Sequence, residues 1–222
     1  MSSKTGIDYV IKLLFRRYKN IYIFYTSLIV VLVLVSLIVF FDNRLAQLFE
    51  LSAKNPLGIL SSIFMQNSFS SLIANIFSVF LLIFIFSSLN SILEVYNFKL
   101  KYDLTKSFMF FPLISSIVTN IIVYAIIVFY NFSESILSGF HVLVQPLLGF
   151  SVSLILFMLL AFKGYKKFFI PLSFMLLGFI GLYLFYGIYF FGLNNFIFEF
   201  QKFFSLSLGL LSGIVISVLK LE

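Results

Sequence analysis

The sequence predicts an all-α, polytopic membrane protein with six transmembrane helices. Of its 222 residues, 62% are hydrophobic and only 10% are charged, whereas a soluble domain carries about 25% charged residues. A chain this poor in charge cannot cover a surface that faces water, but lipid removes that need. Two further observations support the prediction, namely the lengths of the apolar segments and the distribution of the basic residues between them.

Six segments are long and apolar enough to cross the hydrocarbon core, for which a helix needs about 20 residues. Because lipid offers no partner for backbone N–H and C=O groups, we expect all six to be helices. In chain order the predicted spans 1 to 6 are 21–41, 69–86, 108–129, 142–162, 169–191 and 203–219. Span 6 is the shortest, and Ser205, Ser207 and Ser212 dilute its apolar character.

The basic residues predict that both termini are cytoplasmic. In a six-helix arrangement, 12 of the 15 Lys and Arg residues fall on one side, in the N-terminal segment, the two connections after spans 2 and 4, and the C-terminus. The other side holds only Arg44, Lys54 and Lys202. Basic residues remain in the cytoplasm during insertion, so the asymmetry predicts an integral protein of the cell membrane with N- and C-termini inside.

The connection over residues 42–68 is the longest, and it lies on the outer side of this arrangement. Apolar residues recur at helical spacing around Leu48 and again around Ile63. This pattern predicts two short amphipathic helices in the membrane interface. The absence of any linker or internal repeat indicates one domain over residues 1–222.

The composition excludes several kinds of site. The chain has no Cys, one His and eight scattered carboxylates, so we expect neither a bound metal nor a cofactor. The net charge of +7 is explained by topology, and we expect membrane lipids as partners rather than nucleic acid.

Three short patches, in this order, resemble the rhomboid superfamily of intramembrane proteases. The run Ile59–Phe64 is similar to the family's Leu-Thr-Ser-x-Phe-like run before span 2, and Asn75 falls on its span 2 Asn. The stretch Pro146-Leu-Leu-Gly-Phe-Ser151 is similar to the Gly-x-Ser-Gly of span 4, while Gly209 and Gly213 match the Gly-x-x-x-Gly of span 6. Gly149, Gly209 and Gly213 are also expected to permit close helix packing.

The resemblance implies a nucleophile at Ser151 and an oxyanion-stabilising role for Asn75. The family's general base on span 6 is a His, but that position holds Leu206 here. Other family positions also differ: the span 2 His positions hold Gln66 and Ser71, Val152 follows the serine in place of Gly, and Leu57-Gly58 replaces a Trp-Arg pair. Without a base, a Ser hydroxyl is a poor nucleophile, and the only other imidazole is that of His141, a residue expected in the loop before span 4.

These observations favour a rhomboid-like pseudoprotease that binds transmembrane segments of client membrane proteins without cleaving them. A first alternative is an active rhomboid protease in which Ser151 is the nucleophile and His141, or another non-standard group, is the base. A second alternative is an unrelated small helical membrane protein, either permease-like or of the stage-II-sporulation type. The prediction therefore leans against enzymatic activity.

Overall fold

The described part of the chain is almost entirely helical. The structure, a computed structural model, describes residues 12–66, 68–95, 103–130, 139–161 and 197–216. Within these ranges no strand is formed, and an isolated β-bridge joins Ser52 and Asn55. The prediction of an all-α protein with several membrane-spanning helices is confirmed to that extent.

Five helices in these ranges are long and apolar enough to cross a membrane. They are α1 (Lys19–Phe41), α2 (Phe69–Val95), α3 (Leu104–Phe129), α4 (His141–Ala161) and α5 (Ile197–Ile216). They correspond to predicted spans 1, 2, 3, 4 and 6, while predicted span 5, residues 169–191, lies outside the described residues.

An aromatic cluster holds the first four helices together. It contains one fully buried ring from each helix: Tyr25 from α1, Phe86 from α2, Phe108 from α3 and Phe150 from α4. The rings of Phe86 and Phe108 are stacked with centroids 3.9 Å apart, and Phe150 meets Phe108 edge-on at 5.7 Å. Since lipid tails are as apolar as these side chains, close packing rather than the hydrophobic effect stabilises the cluster.

Two prolines inside helices free backbone carbonyls that hydroxyl groups of neighbouring helices then satisfy. Pro112 lacks an N–H group, so the carbonyl of Phe108 loses its helical partner, and the Tyr25 hydroxyl donates to that oxygen at 2.7 Å. Pro146 frees the carbonyl of Val142 in the same way, and Ser116 Oγ, which shares its proton between two carbonyls, lies 2.9 Å from this oxygen and 2.7 Å from that of Pro112. Backbone groups must find internal partners in lipid, so these hydroxyls make both prolines tolerable.

The connection between α1 and α2 folds back on itself and partly enters the helix bundle. Asn55 Nδ2 donates to the carbonyls of Leu48 and Glu50 at 3.0 and 2.9 Å, which gives partners to the end of a short helix over Ala46–Phe49. A Cβ atom at Gly58 would overlap the Glu50 carbonyl. Only glycine therefore lets the two parts of the connection approach this closely.

The second half of the connection is anchored by α3. It contains a short helix over Gly58–Ser61 and a 3-10 turn over Ser62–Phe64. Asn120 Nδ2 donates to the Ile59 carbonyl at 2.9 Å, and Gln201 of α5 donates to Asn120 Oδ1 at 2.6 Å. The connection therefore contains two short helical segments, and the second is held inside the bundle by a buried amide rather than by apolar contacts alone.

The opposite end of α2 continues beyond its apolar segment because polar contacts support it. Asn90 is buried and donates to the Tyr18 hydroxyl at 3.2 Å, while Ser91 lies 3.1 Å from the same oxygen. Glu94 forms an ion pair with Arg17. These contacts join the end of α2 to the segment that precedes α1.

Candidate functional site

A cavity of about 350 Å³ lies where α2, α4 and α5 meet the end of the 42–66 connection. We call this space the α2–α4–α5 cavity. Its volume falls in the range of small-ligand sites. The lining residues are Met65 and Gln66 from the connection, Ser68, Ser71, Ala74 and Asn75 from the start of α2, Gly139 and His141 from the start of α4, and Phe198 and Lys202 from α5.

One wall of the cavity is an amide pair. Asn75 Nδ2 donates to Gln66 Oε1 at 3.0 Å, which leaves the Gln66 amide nitrogen directed elsewhere. Gln66 is 4% exposed, and its Nε2 atom has no hydrogen-bond partner among the described residues. Buried polar groups are nearly always hydrogen-bonded, so this nitrogen is a donor with spare capacity at the cavity wall.

The imidazole of His141 forms a second wall. His141 is the first residue of α4, and its ring packs edge-on against Phe198 with centroids 4.8 Å apart. Its Nε2 atom is shielded from solvent and has no partner in the described ranges. The turn before α4 passes close to the connection at Gly139. A Cβ atom at this position would lie only 3.2 Å from the Met65 carbonyl oxygen.

Lys202 brings a cation to the cavity, and the sequence alone misplaced it. The sequence assigned Lys202 to the connection before span 6, but α5 begins at Ile197, so Lys202 lies within the helix. Its Nζ atom is 2.8 Å from Glu199 Oε1 and 4.0 Å from the centroid of the Phe198 ring. The Glu199–Lys202 spacing of i,i+3 was the signal that α5 starts earlier.

Ser151 does not line the cavity. It is 2% exposed, and its hydroxyl donates to the carbonyl of Leu147 in its own helix at 2.8 Å. His141 and Ser151 belong to one continuous helix, and the ten-residue step from one to the other corresponds to about 15 Å along its axis. The structure thus brings Asn75 and His141 to one cavity and leaves Ser151 outside it.

The three glycines named from the sequence lie where α4 and α5 cross. A Cβ at Gly149 would overlap the Leu206 carbonyl, one at Gly209 would overlap Pro146, and one at Gly213 would overlap Ser153 Oγ. Backbones this close require small residues. Leu206 therefore presents its backbone to Gly149 and supplies no titratable group.

Comparisons with known proteins give no match. No family model, curated protein or solved structure matches this chain. Functional conclusions therefore depend on the residues themselves. Among the described residues no group of three His, Cys, Asp or Glu side chains could hold a metal ion. The cavity instead presents mainly hydrogen-bond donors, with one ammonium group next to its own carboxylate partner, an arrangement suited to acceptor or anionic groups.

Proposed function

We propose that this chain is a rhomboid-like pseudoprotease of the cell membrane, with both termini in the cytoplasm. It binds transmembrane segments of other membrane proteins and does not cleave them. One observation carries the proposal: the hydroxyl of Ser151 is buried and donates to Leu147, and no imidazole is near it.

The physical reason is that serine needs a base to become a nucleophile. In a Ser–His pair, loss of either partner costs on the order of 10⁶-fold in turnover. Here the base position is Leu206, and His141 is about 15 Å away along α4. The Ser151 hydroxyl instead satisfies a helix carbonyl, as Ser side chains do in structural roles within helices.

An exposed apolar surface of α2 supports binding of a membrane helix. Phe69, Ile73 and Phe77 follow one another at four-residue spacing along α2 and are 65%, 53% and 66% exposed. At about 100° per residue, this stripe, the α2 stripe, lies on the face of α2 opposite Asn75 and the cavity. A client helix packed on the α2 stripe would gain the close side-chain contacts that join helices in lipid.

The proposal is tested by co-purification of helical membrane proteins with a tagged chain from cross-linked membranes. Ser151→Ala should leave the recovered clients unchanged and intact. Phe77→Ala should reduce their recovery several-fold, whereas Phe110→Ala on α3 is the matched control, since Phe110 is similarly exposed at 51%. Loss of function in Ser151→Ala, or shortened clients that depend on Ser151, would contradict the proposal.

A further inference from the structure

We propose that the α2–α4–α5 cavity binds the phosphate group of an anionic lipid, with Lys202 as the cation and Gln66 and His141 as hydrogen-bond donors. This inference does not depend on client binding. Two observations point to a ligand: Gln66 Nε2, on a side chain that is 4% exposed, and His141 Nε2 both lack a protein partner among the described residues.

The donor set fits a phosphate better than a neutral group. An ammonium group has three donors, and Lys202 uses one of them on Glu199. Two N–H groups therefore remain for a ligand. Lysine binds phosphate as a point charge, and phosphate oxygens accept several hydrogen bonds at once, so a single group can meet Lys202, Gln66 and His141 from the three sides of the cavity.

The depth of the cavity matches the level of lipid headgroups. Asn75 lies six residues, or about 9 Å along the helix axis, from the start of α2 at Phe69. The headgroup region is roughly 5–8 Å thick on each side of the hydrocarbon core. With the start of α2 at the membrane surface, the cavity lies near the boundary between headgroups and acyl chains.

Substitution of Glu199 tests whether the ammonium group of Lys202 binds the phosphate. Its carboxylate competes with a lipid phosphate for the same ammonium group, with an Nζ to Oε1 distance of 2.8 Å. Glu199→Gln removes that competition and should strengthen phosphate binding. Lys202→Gln removes the cation and should weaken it. A purely structural Glu199–Lys202 pair predicts the opposite for Glu199→Gln, since loss of one partner would then only disturb the site.

The experiment is native mass spectrometry of the purified chain released from nanodiscs of phosphatidylglycerol and phosphatidylcholine. We expect retained phosphatidylglycerol to fall at least five-fold in Lys202→Gln and to rise in Glu199→Gln. Lys54→Gln is the matched control, since Lys54 is exposed on the connection between α1 and α2 and its loss changes the net charge equally. It should retain lipid as the unaltered chain does.

A second experiment distinguishes the phosphate of a lipid from free inorganic phosphate as the ligand. Thermal unfolding in detergent is followed with inorganic phosphate, with chloride at matched ionic strength as the control. Stabilisation by inorganic phosphate that Lys202→Gln removes, without retention of phosphatidylglycerol, would assign the same site to soluble phosphate. Equal lipid retention in the Lys202→Gln and Lys54→Gln variants, or weaker retention in Glu199→Gln, would overturn the proposal.

Discussion

The hydrogen bond from Tyr25 to the carbonyl that Pro112 frees gives a quantitative test of how α1 and α3 are joined. Tyr25→Phe keeps the buried ring and removes only the donor, which lies 2.7 Å from the Phe108 oxygen. A buried carbonyl left unpaired costs about 1–3 kcal/mol, and hydrogen bonds between membrane helices measure about 0.6 and at most about 1.7 kcal/mol. We therefore expect Tyr25→Phe to lower the free energy of unfolding by about 1–2 kcal/mol.

A second substitution tests whether the carbonyl freed by Pro112 is the reason that Tyr25→Phe lowers the stability. Pro112→Ala restores an N–H group, which can donate to the Phe108 carbonyl as in an uninterrupted helix. In that background Tyr25→Phe should cost about 0.5 kcal/mol, since no carbonyl is then left unpaired. The double-mutant cycle should accordingly give a coupling energy of about 1 kcal/mol.

The assay is pulse proteolysis in mixed micelles of increasing SDS fraction, which gives the unfolding free energy for each of the four proteins. Tyr25→Phe combined with Pro146→Ala is the control cycle and should be additive, because a different hydroxyl, that of Ser116, lies next to the carbonyl freed by Pro146. Additivity of Tyr25→Phe with Pro112→Ala would refute the account of the freed carbonyl.

Three further predictions concern packing, the outer connection and sidedness. Gly209→Ala should lower the unfolding free energy by several kcal/mol, measured by the same proteolysis assay, because its methyl group would overlap the backbone of α4. Asn120→Leu should release the 42–66 connection, and because the chain has no cysteine, a maleimide can follow this at a Leu51→Cys reporter. Labelling at least ten-fold faster than in the reporter alone is expected, since Leu51 is fully buried, and an unchanged rate would contradict it. In intact cells an impermeant maleimide should label Lys54→Cys but not Lys106→Cys, and the reverse pattern would contradict the proposed orientation.

The positions of the helices could be predicted from the sequence because, in lipid, the length of an apolar segment decides whether it can cross. Four of the five described membrane-length helices begin or end within a few residues of the predicted spans, since apolar length alone decides where a chain can cross. The observed helix ends differ from the predicted ones where polar contacts continue a helix past its apolar segment. α2 continues to Val95 through the contacts of Asn90 with Tyr18, and α3 begins at Leu104 because Asp103 caps it.

The cavity was less accessible to sequence reasoning. Asn75 was named because it falls on the span 2 Asn of the family that the sequence resembles. Gln66 was named only as a departure from a family pattern, His141 only as the alternative base, and Lys202 was assigned to a loop. Their meeting depends on the rotation of α2, α4 and α5 about their axes and on the fold of the connection, which hydropathy and charge counts do not determine.

The most direct test of the central claim is reaction of the purified chain, reconstituted in liposomes, with a fluorophosphonate probe. Such probes label a serine only when its hydroxyl is activated. The buried hydrogen bond from Ser151 to Leu147 predicts labelling no greater than that of Ser151→Ala. Labelling that Ser151→Ala abolishes would show an activated nucleophile and contradict the account.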